Sequence, residues 1–108
     1  MSDQDLAKLA STIRARRAAT ADNSYTKKLL DKGPEYCARK FGEEAVETVI
    51  ASISGSRDEL TAEAADVLFH LLVLLEAREI GLNEVLAVLD QRTGQSGLEE
   101  KAARPQSE

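Results

Sequence analysis

At 108 residues, with two Tyr, two Phe and no Trp, the chain has room for one domain whose modest core is built from Leu, Val, Ile and Ala. A formal charge of −5 excludes a general nucleic-acid binder, which needs a broad basic face; a small phosphorylated ligand met by a metal ion and a few local Lys and Arg is not excluded. Cys37 is the single cysteine, so no internal disulfide forms, and the acidic residues 1–5 are unlike a signal peptide, so the expectation is a soluble cytoplasmic protein.

Few aromatics with many Ala, Leu, Glu and Arg predict an all-α fold, here an antiparallel helical bundle. Leu6, Leu9, Ala10 and Ile13 repeat at helical spacing, so a first helix is expected over about residues 3–19. Arg14, Arg16 and Arg17 suit the negative end of its dipole. Residues 21–23 read as a loop. Ser24 is placed to cap a short helix through Leu29 and Leu30, which Lys32-Gly33-Pro34 stops.

A longer helix is expected over about residues 35–54, with Val46, Val49, Ile50 and Ile53 as its apolar stripe. Gly42 inside it marks either a close approach by a ligand or another backbone, or a mere weak point. Gly55 ends this helix, and Ser56 with Glu59 forms a capping-box pattern for the next, expected over about residues 57–79 and stopped at Gly81. The short turn makes the two long helices antiparallel neighbours. Asn83 is the expected cap of a further helix carrying Val85, Leu86 and Leu89. Ser96 and Glu99 repeat the capping-box pattern for a last short helix, so one helical domain spans residues 1–104, and 105–108 form a flexible tail. The 67–75 run, Val-Leu-Phe-His-Leu-Leu-Val-Leu-Leu, is too short for a bilayer, which takes about 20 residues. It is apolar almost all the way round, more than so short a chain covers by itself, and a homodimer with a shared core is expected.

Acids cluster on the two long helices. Glu43, Glu44 and Glu47 lie on adjacent turns of the first, and Glu63 and Asp66 lie on the second, at the mouth of the apolar run. No basic residue between Glu43 and Arg57 pairs with the first group. Carboxylates bordering a buried helix need a compensating cation, and an all-oxygen set favours Mg²⁺ or Mn²⁺ over zinc or copper. Di-iron bundles use Glu-x-x-His on two helices; here His70 follows Asp66 by four residues and has no counterpart, so it reads as a buried hydrogen-bonding group. There is no P-loop, Gly-x-Gly-x-x-Gly or Gly-x-Ser-x-Gly motif. Cys37 reads as a small core residue.

The stretch Gly42-Glu43-Glu44-Ala45-Val46-Glu47 followed by Glu63-Ala64-Ala65-Asp66 resembles the Glu-Glu-x-x-Glu…Glu-x-x-Asp pattern of the all-α nucleoside triphosphate pyrophosphatases, the MazG-like superfamily. Ser24-Tyr25-Thr26, Lys40-x-Gly42-Glu43-Glu44, residues 65–75 and Arg92-x-x-x-Ser96-Gly97-x-x-Glu100-Lys101-Ala102 resemble, more narrowly, the phosphoribosyl-ATP pyrophosphatase family of histidine biosynthesis. Phe69 stands where that family most often has Tyr. The resemblance implies a magnesium-dependent hydrolysis of phosphoribosyl-ATP to phosphoribosyl-AMP and pyrophosphate by a homodimer. It further implies that Glu44, Glu47, Glu63 and Asp66 are metal ligands, with Glu43 a candidate to hydrogen-bond the attacking water or a metal-bound water. Lys32, Lys40 and Lys101 are candidates for phosphate contacts. Ser96-Gly97, at the start of a predicted helix, is a candidate for backbone N–H contacts to phosphate. Two other readings stay open from the residues: a housekeeping hydrolase of non-standard nucleoside triphosphates using the same metal site, and a non-catalytic helical dimer whose acids hold a structural cation or face water.

Overall fold

The computed structural model describes residues 5–18 and 24–94. These form five helices and no strand: α1 (Leu6–Arg17), α2 (Tyr25–Lys32), α3 (Pro34–Ser54), α4 (Arg57–Ala77) and α5 (Leu82–Thr93). The expected 21–23 loop, the last short helix and the tail lie outside the described residues. None of the described helices is long and apolar enough to cross a membrane.

Local chemistry sets most of the boundaries. Asp5 starts α1, its carboxylate accepting from the Lys8 N–H at 2.8 Å. Ser24 caps α2 as expected, its hydroxyl accepting from the Lys27 N–H at 3.2 Å. Gly33 then takes φ of +94°, and Pro34 starts α3 at once, at the position where a missing N–H costs nothing. Between α3 and α4 the capping box forms in full: the Ser56 N–H donates to Glu59 Oε1 at 2.7 Å, and the Glu59 N–H donates to Ser56 Oγ at 3.1 Å.

Two boundaries differ from expectation. Helix α4 stops at Ala77, before Gly81, because Glu79 adopts a left-handed conformation with φ of +60°. The Glu79 N–H donates to the Glu76 carbonyl and the Ile80 N–H to the Leu75 carbonyl, each at 2.9 Å. This is the bonding of a Schellman motif, with glutamate where glycine is usual. Asn83 is not the cap of α5. Gly81 holds that position, and the Glu84 carboxylate reaches back to its N–H at 2.8 Å.

The α3–α4 hairpin is the frame. The Thr48 hydroxyl lies 2.9 Å from the Glu44 carbonyl on its own helix and 3.2 Å from the Glu63 carbonyl on α4, and its single proton is shared between them. Thr48 is as far before the Gly55-Ser56 turn as Glu63 is after it, so this contact marks an antiparallel register. Helices α1 and α2 close over the far half of α4. Ile13, Leu29, Cys37, Leu72 and Val73 form the buried cluster, with Leu9, Leu30, Tyr36 and Phe69 packed around it. Cys37 is a core residue as expected, its thiol donating to the Leu29 carbonyl at 3.2 Å. Glu76 receives Arg17 at 2.8 Å and Arg14 at 3.4 Å, which ties α1 to α4.

The surplus apolar face is not where the hydropathy placed it. Most of the 67–75 run is covered by α1, α2 and α3, with Leu68 left 44% exposed. The uncovered stripe is on α3, where Val46, Val49 and Ile50 are 57–58% exposed and Ile53 is 81% exposed. The side of α3 that meets α4 carries Glu44, Thr48 and Ala51 instead.

Candidate active site

The register set by Thr48 brings the acids of α3 opposite those of α4. One carboxylate oxygen from each of Glu44, Glu63 and Asp66 lies within 4.8 Å of the other two. Glu44 and Glu63 are half-buried, and Asp66 is exposed. A buried Glu63 Oε1 has no hydrogen-bond partner among the described residues. An unpartnered buried carboxylate oxygen is costly, and a proton, a water or a cation offsets that cost. Partial burial pushes the Glu44 carboxyl up from its ordinary value, and the charges of Glu47, Asp66 and Glu63 push it further. Glu63 is raised in the same way, by burial first and then by Glu47, Asp66 and Glu59. The donor set is all oxygen and drawn from two helices, so it suits Mg²⁺ or Mn²⁺.

Glu47 stands beside this triad rather than in it. It is exposed, its charge bears on both Glu44 and Glu63, and it faces an open cleft shared with Glu63, Glu59 and Ile50. Glu43 points to the other side. Its Oε1 accepts from Lys40 Nζ at 3.2 Å. The first acidic group is therefore neutralised in part from its N-terminal side, a pairing the i,i+3 spacing of Lys40 and Glu43 already carried. Lys32 lies over the Tyr36 ring, 4.6 Å from its centroid. Ser96, Gly97 and Lys101 lie outside the described residues.

Among the described residues Gly42 has no atom within 4 Å of where a Cβ would stand, so no other described backbone requires a glycine there. His70 is 5% exposed, and its Nδ1 has no hydrogen-bond partner among the described residues. It meets the edges of Tyr25 and Phe69 instead of holding a carboxylate. Burial pulls its pKa down, and Lys40 adds to this.

A profile of the phosphoribosyl-ATP pyrophosphohydrolase family matches residues 6–93. The chain belongs to this family. It is 64% identical over 96 residues to phosphoribosyl-ATP pyrophosphatase 1 of Rhodopseudomonas palustris, covering 89% of this chain and 90% of that protein. It is 65% identical over 96 residues to phosphoribosyl-ATP pyrophosphatase 1 of Bradyrhizobium diazoefficiens, covering 89% and 91%. It is 61% identical over 99 residues to phosphoribosyl-ATP pyrophosphatase of Dinoroseobacter shibae, covering 92% and 97%. The matched span takes in all five helices and every acid of the cluster.

Proposed function

We propose that this chain hydrolyses phosphoribosyl-ATP to phosphoribosyl-AMP and pyrophosphate in histidine biosynthesis, with Mg²⁺ or Mn²⁺ held by Glu44, Glu63 and Asp66 and supported by Glu47. The observation that carries this reading is the convergence of three carboxylates from two helices, one with an unpartnered buried oxygen, in a chain of this family. When bound, the ion neutralises the phosphate oxygens and lowers the pKa of the attacking water. The chain supplies the rest. Thr48 holds Glu44 and Glu63 in register. Lys40 takes one oxygen of Glu43, leaving the other to accept a hydrogen bond from the attacking water and then its proton. A new P–O bond forms as the bond to pyrophosphate breaks. Lys40, paired with Glu43 next to the acids, is the candidate among the described lysines for meeting a phosphate oxygen.

A second copy of the chain completes the fold in this reading. The stripe Val46, Val49, Ile50 and Ile53 is an apolar face of α3 left open beside the acids, and burying it against its own copy gives a symmetric interface. Sedimentation should show a dimer at micromolar concentration, and Ile53→Lys should shift it toward monomer. The deciding assay presents phosphoribosyl-ATP beside ATP and modified nucleoside triphosphates, with and without Mg²⁺. Pyrophosphate release from phosphoribosyl-ATP alone supports the reading. Equal turnover of the other triphosphates would replace it with a housekeeping hydrolase, and no turnover of any would leave a non-catalytic helical protein.

A further inference from the structure

Tyr25 is 52% exposed, whereas Tyr36, Phe41 and Phe69 are half-buried. A single exposed aromatic is ordinary. This one is held in place. It packs offset and nearly parallel to Phe69, 6.2 Å between centroids with the rings 19° apart. His70 meets it edge-on at 6.2 Å and 89°, and His70 and Phe69 are themselves packed edge to face at 5.2 Å. The Ser24 cap fixes the start of the helix that carries it.

The position of this ring matters as much as its rigidity. Phe69 and His70 follow Asp66 by three and four residues on α4, one helical turn or about 5 Å along the axis. Lys40 is close enough for the Tyr25 phenol to bear on its charge, and it is bonded to Glu43. The acids, the Lys40–Glu43 pair and the Tyr25 ring thus follow one another along one side of the chain.

We propose that the outer face of Tyr25, backed by Phe69 and His70, is the stacking wall for the purine base of the nucleotide substrate. The proposal rests on the reading of the acids as a nucleotide pyrophosphohydrolase site. With the reacting phosphates at the acids and beside the Lys40–Glu43 pair, the rest of the nucleotide extends along the same side and its base falls on Tyr25. A fixed aromatic with one open face suits a flat base, because little motion is lost when the two stack. The hydroxyl is not required for this, so the ring and not the phenol determines binding.

The test separates the wall from the function. Tyr25→Ala should raise KM for phosphoribosyl-ATP about tenfold or more, as loss of one base–aromatic stack does. It should leave kcat and Mg²⁺ affinity nearly unchanged, and Tyr25→Phe should behave like the wild type. In Tyr36→Phe, Tyr25 is the single tyrosine. Its ring proton signals should move upfield on titration with AMP and stay in place with ribose 5-phosphate. An unchanged KM in a folded Tyr25→Ala overturns the proposal. So do ring signals that ignore AMP, or that answer ribose 5-phosphate equally. A wild type inert to phosphoribosyl-ATP would sink the functional reading instead, and the AMP titration, with Tyr25 intact, still decides the wall.

Discussion

The two halves of α4 carry opposite kinds of surface. The C-terminal half presents Leu72 and Val73 to Ile13, Leu29 and Cys37, and its one acid, the half-buried Glu76, is matched by two arginines from α1. The N-terminal half presents Glu63 and Asp66 to Glu44, acid against acid, with an oxygen left unpartnered. A helix that is satisfied at one end and in conflict at the other has its stability and its chemistry in different places. Carboxylates at the conflicted end are retained against the fold's interest, which is the usual sign of function.

The contrast breaks most visibly in the core. Leu29→Ala removes a side chain only 2% exposed and should cost about 2–4 kcal/mol of stability, measured by denaturant unfolding. The specific activity of the protein that stays folded should change little. At the other end, Asp66→Asn should cut turnover at least ~100-fold, as loss of a catalytic electrostatic group does, with helicity retained. An Asp66→Asn protein that is fully active at low Mg²⁺ would erase the distinction between the halves. Glu47→Gln should act in the same direction, and its size measures how much the neighbouring acid contributes.

The pH response sharpens the same contrast. The Glu44 and Glu63 carboxyls are raised above their unfolded values. In the metal-free protein the folded state therefore holds protons more tightly than the unfolded chain. That stabilisation is complete below the ordinary carboxylate pKa and is lost as pH rises through the raised values. His70 acts in the opposite sense: its pKa is lowered, so its contribution is present above the ordinary histidine value and is lost as pH falls. The difference in Tm between Glu63→Gln and the wild type, followed in chelator across the mildly acidic range, cancels His70. The variant's advantage should grow with rising pH. A difference independent of pH would mean that Glu63 is not in conflict with its neighbours.

The smallest expected effect lies at the end of α4. Glu79 holds a left-handed φ of +60°. Glu79→Gly should stabilise the fold by about 1 kcal/mol, since glycine takes this conformation without the clash of a Cβ. The gain should appear as a higher Tm with turnover unchanged.

Residue chemistry made the hairpin legible. Gly55, Ser56 and Glu59 specify its turn, and the spacing of Glu44, Glu63 and Asp66 from that turn brings them opposite one another. Gly33-Pro34 and Ser24 were equally readable, because each acts through its own backbone. What was not legible depends on neighbours. The 67–75 run and the 46–53 stripe are both apolar, and nothing in either says which one α1 and α2 will cover. Glu79 has no turn signature, and it is held left-handed by the helix end it closes. Asn83 has the chemistry of a cap, but Glu84 is placed to bond Gly81 three residues before it. Tyr25 stands in the family-like Ser24-Tyr25-Thr26 stretch, but its packing against Phe69 and His70 shows only in the structure.

Thermal unfolding of the wild type and Glu63→Gln, each in chelator and in millimolar Mg²⁺ at neutral pH, tests the central claim most directly. If the acids of α4 form a metal site, Mg²⁺ raises the Tm of the wild type. Glu63→Gln should start higher in chelator, gain little or nothing from Mg²⁺, and release no pyrophosphate from phosphoribosyl-ATP. Equal Mg²⁺ responses in the two proteins, or a Glu63→Gln that is less stable in chelator and still active, would show that these acids are surface charges and not the site.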